Sequence, residues 1–107
     1  MKVYDEFHGE TQINTIGKRL REIVKIEKRS FKILTGHGFS TGVSRSKDSA
    51  LKSLAKMKKE GLIKGFFPGD SMSISKKDQY YQDRQTFSGL VNGDKDYFNP
   101  GIIFVFV

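Results

Sequence analysis

Two short stretches of this chain carry residue types suited to chemistry on a phosphate. The first is Glu6-Phe7-His8-Gly9, where a carboxylate and an imidazole stand two residues apart. In an extended strand, positions i and i+2 share a face, so Glu6 can orient the His8 ring or, together with a phosphate, hold a magnesium ion. The second is Thr35-Gly36-His37-Gly38-Phe39-Ser40, with Arg45 and Lys47 following shortly after. Glycines let backbone N–H groups approach an anion closely, and a helix start behind them adds the positive end of its dipole. The loop backbone around Gly36 and Gly38, with Ser40, Arg45 and Lys47 close by, therefore suits a phosphate, which His37 between the glycines would also touch. In the first stretch, His8 and Glu6 are the residues with acid–base capacity. Each feature also has a plainer reading. A Gly-x-Gly after a strand serves equally as a tight connection with no ligand, and a histidine at a strand end as a hydrogen-bonding anchor.

The elements that must position these residues follow from hydrophobic period. Residues 3–8 alternate as a strand, with Val3, Asp5 and Phe7 on one side and Tyr4, Glu6 and His8 on the other. Thr11 is placed to cap a helix whose apolar stripe is Ile13, Ile16, Leu20, Ile23 and Val24, ending near Lys28 or Arg29. Residues 31–35 form a second strand that runs into the glycine loop. A second helix starts at about Ser44 or Ser46, buries Ala50, Leu51, Leu54 and Met57, and meets Gly61 as its C′ residue. Residues 62–67 read as a third strand. Residues 101–107 are the most β-prone segment, and their unbroken apolarity implies burial on both faces.

Between these last strands, residues 68–100 show little period and read as an irregular inserted loop. Its Tyr80, Tyr81, Arg84 and Phe87 either stack on bases or pin the loop to the domain. The whole is one domain over residues 1–107, an α/β (α+β) two-layer sandwich of order βαβαββ. A four-stranded mixed sheet carries two helices on one face, and its first two strands are parallel. Ligands of such sheets gather beyond the carboxyl ends of parallel strands, which places His8-Gly9 beside Gly36-His37-Gly38.

Composition narrows the function. The chain carries a net charge of +7, and residues 17–64 hold fourteen bases against four acids, so the excess lies around the two helices and the glycine loop. A field of that kind attracts polyanions, and the expected partner is nucleic acid, DNA or RNA. Without cysteine, disulfides and thiolate metal sites are excluded, and two histidines do not make a zinc site by themselves. No apolar run approaches the length of a membrane span and no signal peptide opens the chain, so the expectation is a soluble, cytoplasmic protein with no membrane partner.

With both motifs in place, the chain resembles a small MutS-related (Smr) domain. The matching stretches are Asp5-Glu6-Phe7-His8-Gly9, Ile33-Leu34-Thr35-Gly36-His37-Gly38, Gly42-Val43-Ser44-Arg45-Ser46-Lys47, and Asn99-Pro100-Gly101 before the closing strand. The family usually has aspartate where Glu6 stands, and many members have a His-Ser pair where this chain has Ser40-Thr41. Residues 68–98 exceed the family's usual connection. The resemblance implies a fold similar to the C-terminal domain of bacterial translation initiation factor three. It implies an endonuclease acting on DNA or RNA, as in repair or recombination, with His8 and Glu6 as catalytic residues at the reactive edge. It also implies that Thr35, Gly36, His37 and Gly38 hold the scissile phosphate and that Arg45 and Lys47 neutralise the flanking backbone. The other reading is a non-catalytic module that binds nucleic acid or the ribosome with the same face.

Overall fold

The computed structural model describes residues 1–7, 13–35, 45–73 and 77–107. Among them, four strands form one mixed sheet: β1 (Lys2–Phe7), β2 (Phe31–Thr35), β3 (Gly65–Pro68) and β4 (Ile102–Phe106), in the spatial order β1-β2-β4-β3. β1 and β2 are parallel, and β4 lies antiparallel between β2 and β3. The carboxyl ends of β1, β2 and β3 therefore share one end of the sheet, where β4 begins. α1 (Ile16–Ile26) and α2 (Arg45–Lys59) follow β1 and β2.

Both helices cover one face, as the apolar stripes predict. Ile16, Leu20 and Ile23 of α1 and Ala50, Leu54 and Met57 of α2 are fully buried against Phe7, Phe31, Ile33, Phe66, Ile103 and Val105. Each of the larger side chains among them contributes about 1.5–3 kcal/mol relative to exposure. Ile13 departs from the expected stripe, because it lies in a 3-10 turn (Ile13–Thr15) before α1 and is exposed. The expected cap Thr11 lies outside the described residues. α2 ends as Gly61 predicts: with φ at +80°, Gly61 donates its N–H to the Lys58 carbonyl and Leu62 donates to that of Met57, which closes the helix in a Schellman arrangement.

β1 does not keep the strict alternation expected of it. Tyr4 pairs with Ile33 and Phe7 with Thr35, so three steps along β1 match two along β2, and a bulge results. Tyr4 and Phe7 therefore both reach the helical layer. Tyr4 packs edge-on to Phe31 and its hydroxyl donates to Glu27 at 2.5 Å.

The opposite face corrects the reading of residues 68–100. Instead of an irregular loop, this segment holds a 3-10 turn (Gly69–Ser73) and a third helix, α3 (Tyr81–Val91). Phe87 stacks on Phe106 at 4.5 Å, and Val91 joins Phe67, Ile102, Phe104 and Phe106 in a second core. All five residues of β4 are buried in consequence. The inward positions of α3 are Asp83, Arg84, Phe87 and Val91, a helical spacing whose first half is charged, which hides it from a search for apolar period. Asp83 protects the edge of the sheet. It accepts from the N–H of Phe66 on edge strand β3 and pairs with Lys58 of α2 at 2.8 Å, covering that edge. Arg84 donates to Asp78, whose carboxylate also accepts from the N–H of Tyr80 at the helix start.

Beside this core lies a buried charge. Lys32 of β2 is 4% exposed, and its ammonium sits 2.8 Å from both Asp94 and Asp96. Burial opposes the Lys32 charge, but hydrogen bonds to the two carboxylates outweigh it and raise its pKa above the ordinary lysine value. Burial likewise opposes the two carboxylate charges, and the Lys32 hydrogen bond overrides it and holds both below the usual range. The turn spanning residues 92–101 is thereby clamped to the middle of the sheet.

Candidate nucleic-acid interface

Phe7 and Thr35 are register partners, so the chain leaves β1 and β2 at neighbouring positions on one end of the sheet. His8, Gly36, His37, Gly38 and Ser40 follow these ends in sequence and lie outside the described residues. The helices start at the same end: Ser49 of α2 donates its hydroxyl to the carbonyl of Ile13, which ties the beginnings of α1 and α2 together.

The remaining candidates fall into different roles. Thr35 is buried, and both its N–H (2.6 Å) and its hydroxyl (3.0 Å) donate to the carbonyl of Gly101. Its donors fasten β2 to the chain entering β4 rather than pointing to a phosphate. Glu6 is exposed, and both its oxygens accept from Nε of Arg19 on α1 at 3.0 Å. Arg19 in turn reaches Glu22 and has its pKa raised, the Glu6 hydrogen bond being the largest cause. The Glu6–Arg19 pair lies near the surface, where it is weak and exchangeable, and among the described residues, which do not include His8, no group of three or more His, Asp or Glu side chains could hold a metal ion. Lys47 is partly buried and bonds both oxygens of Asp70 at 3.2 Å, so it joins α2 to the turn after β3. Arg45 is exposed at the start of α2.

Arg45 opens onto a feature that motif and spacing alone do not single out, a groove between α1 and α2 on the outer side of the helical layer. Gly17 lies along it: a Cβ there would come within 2.9 Å of the Ser53 hydroxyl, so the missing side chain lets the helices approach. Near the helix starts, the groove is lined by Ile13, Arg45, Asp48, Ser49, Lys52 and Ser53. Further along, Gly17, Lys18, Arg21, Glu22, Lys25, Ser53 and Lys56 line it. Six cations thus face two acids. Arg21 is held by Glu60 at 2.6 Å and Lys52 by Asp48 at 3.1 Å, both near the surface, where such pairs are weak and exchangeable. Lys18, Lys25 and Lys56 are exposed and make no ion pair among the described residues. Lys18, Arg21 and Lys25 recur every three or four residues on α1, and Lys52 and Lys56 every four on α2, so the two rows are visible in the sequence. That they face each other across Gly17 is not.

An 11-residue helix is about 16 Å long, the rise of roughly four or five nucleotides along one strand. Among the described residues, no helix is long and apolar enough to cross a membrane. Comparison with models of protein families, with curated proteins and with solved structures finds no match to this chain.

Proposed function

We propose that this chain is an Smr-like domain that binds nucleic acid, DNA or RNA, with the groove between α1 and α2 as its track for the phosphate backbone. The observation that carries the reading is the lining of that groove, six cations against two acids along its length. A linear array of that kind suits a chain of regularly spaced anions better than a compact one, because neutralising successive phosphates releases their counterions. The parallel β1-α1-β2 unit, with α2 on the same face, supports the family reading. Nucleic acid and a cysteine-free chain suit the cytoplasm, where a ribosome is one source of the same phosphate surface.

A second reading, phosphodiester cleavage at the sheet end, is favoured by the pairing of Phe7 with Thr35, which brings the strand preceding His8 beside the one preceding the glycine loop. In it His8 serves as the base and Arg45 neutralises the flanking backbone. Glu6 then acts from its pair with Arg19, anchoring the end of β1 to α1.

Labelled single-stranded, duplex and branched oligonucleotides separate the possibilities. At low salt the wild type is expected to bind, and Lys18→Gln, Lys25→Gln and Lys56→Gln combined should weaken binding about tenfold or more. Equal affinity of wild type and triple variant would remove the groove from the reading. Cleavage that disappears in His8→Ala while binding persists establishes the nuclease; binding with no cleavage in either protein leaves the non-catalytic module.

A further inference from the structure

Among the described residues, Phe98 is the one non-glycine residue with a positive φ, +77°. The left-handed region crowds a Cβ, and glycine or asparagine would fill the position with less strain. A phenylalanine usually offsets such strain by burial, yet Phe98 is 52% exposed, resting edge-on against Tyr97 at 4.5 Å. The ring is held outward on a rigid base. The Phe98 N–H donates to the carbonyl of Gly69, Asn99 bonds Asp96 through both backbone and side chain, and Asp96 is fixed by buried Lys32. Gly69 itself has no room for a Cβ, which would lie 2.6 Å from the Asn99 carbonyl oxygen, so the turn packs directly on the backbone that leaves β3.

The position of this turn matters as much as its strain. Gly69 continues into Asp70, the partner of Lys47 on α2, and Gly101 receives both donors of Thr35 at the end of β2. Phe98 thus stands at the end of the sheet where the β1–β3 carboxyl ends and the start of α2 gather. An exposed aromatic face at the end of the sheet where α2 begins, with Arg45 in its first turn, suits an unpaired nucleotide, since a base offers a π surface whatever its identity. Duplex bases are already stacked on each other and present no free face.

We propose that Phe98 is a stacking platform for an unpaired base, so that the nucleic acid taken by this end of the domain is single-stranded there. The inference rests on the nucleic-acid reading above and narrows it to a substrate class. It assigns to an exposed, strained ring the recognition that a base-neutral phosphate track lacks.

The chain contains no tryptophan, so Phe98→Trp introduces a single reporter at the platform. Titration with a twelve-nucleotide single strand is expected to quench its emission, and the matching duplex should not. Phe98→Gly relieves the left-handed strain at the cost of unfolded-state entropy, so it should leave the protein folded while loosening single-strand binding about tenfold and leaving duplex binding unchanged. Single-strand binding seen by anisotropy with no change in Phe98→Trp emission would overturn the platform and leave the groove reading standing. Absence of binding by the wild type at low salt would overturn the nucleic-acid reading itself. A Phe98→Gly protein that binds single strands as tightly as wild type would also overturn the platform.

Discussion

The two faces of the sheet are closed by different physics. Under α1 and α2, the contact is apolar throughout, with Leu20, Ile23, Leu54 and Met57 meeting Ile33, Phe66 and Val105. On the other face an aromatic core under α3 adjoins a buried lysine held between two aspartates. Apolar packing tolerates small shifts and is indifferent to pH, whereas a buried ion cluster depends on each member remaining in place and charged. The helical face therefore supplies a stable platform for the outer groove. The clamped face fixes one turn, residues 92–101, whose later part reaches the end of the sheet where β4 begins.

This contrast can be broken first by deleting single side chains. Lys32→Ala leaves Asp94 and Asp96 facing each other without a cation and should cost about 3–5 kcal/mol in denaturant unfolding. Lys32→Met with Asp94→Asn and Asp96→Asn should recover much of that loss, because the burial of uncompensated charge is gone. Leu20→Ala or Leu54→Ala should cost about 2–5 kcal/mol through lost burial and a residual cavity, with no comparable rescue by removing charge elsewhere.

Titration sharpens the same comparison. Asp94 and Asp96 have folded-state pKa values below the ordinary one, so their contribution is present above about pH 4 and is lost as the pH falls through the lowered values. Lys32 is raised, so its contribution is present below about pH 10.4 and is lost as the pH climbs through the raised value. Melting curves across pH should show an acid limb that flattens in the Lys32→Met, Asp94→Asn, Asp96→Asn protein. Leu20→Ala should shift the whole profile downward and leave its shape unchanged.

A smaller effect is expected at the β3 edge. A Cβ at Gly65 would lie 2.7 Å from Phe87 and 2.8 Å from the Asp83 carboxyl carbon, so Gly65→Ala should lift α3 at a cost of about 1–3 kcal/mol. Faster hydrogen exchange at the Phe66 amide, which loses its Asp83 acceptor, is the local readout. Smallest of all, Arg21→Ala removes the surface pair with Glu60 and should leave the unfolding midpoint unmoved, although it lines the groove.

The same contrast explains what the sequence disclosed. The stripe Ile16, Leu20, Ile23, the Gly61 helix stop and the unbroken apolar run of β4 are local signals, and α1, α2 and β4 lie where they indicate. α3 escaped because its inward positions begin with Asp83 and Arg84, whose partners Lys58 and Asp78 become visible only after folding. The β1 bulge escaped because Tyr4 and Phe7 share a side only once paired to β2. In the candidate site, Arg45 stands exposed at the start of α2, Thr35 donates to Gly101 and Glu6 pairs with Arg19, and of these only the helix start is a local signal. The groove was half legible: its two rows of cations are periodic, but their meeting across Gly17 and Ser53 is a tertiary fact.

The central claim, a phosphate track along the helical layer, is tested most directly by the salt dependence of affinity for one labelled single strand. Plotted as log Kd against log salt, the wild type should rise steeply, and the Lys18→Gln, Lys25→Gln, Lys56→Gln protein should rise with a slope smaller by about 2, at roughly 0.7 per lost phosphate contact. Identical slopes for the two proteins would contradict it.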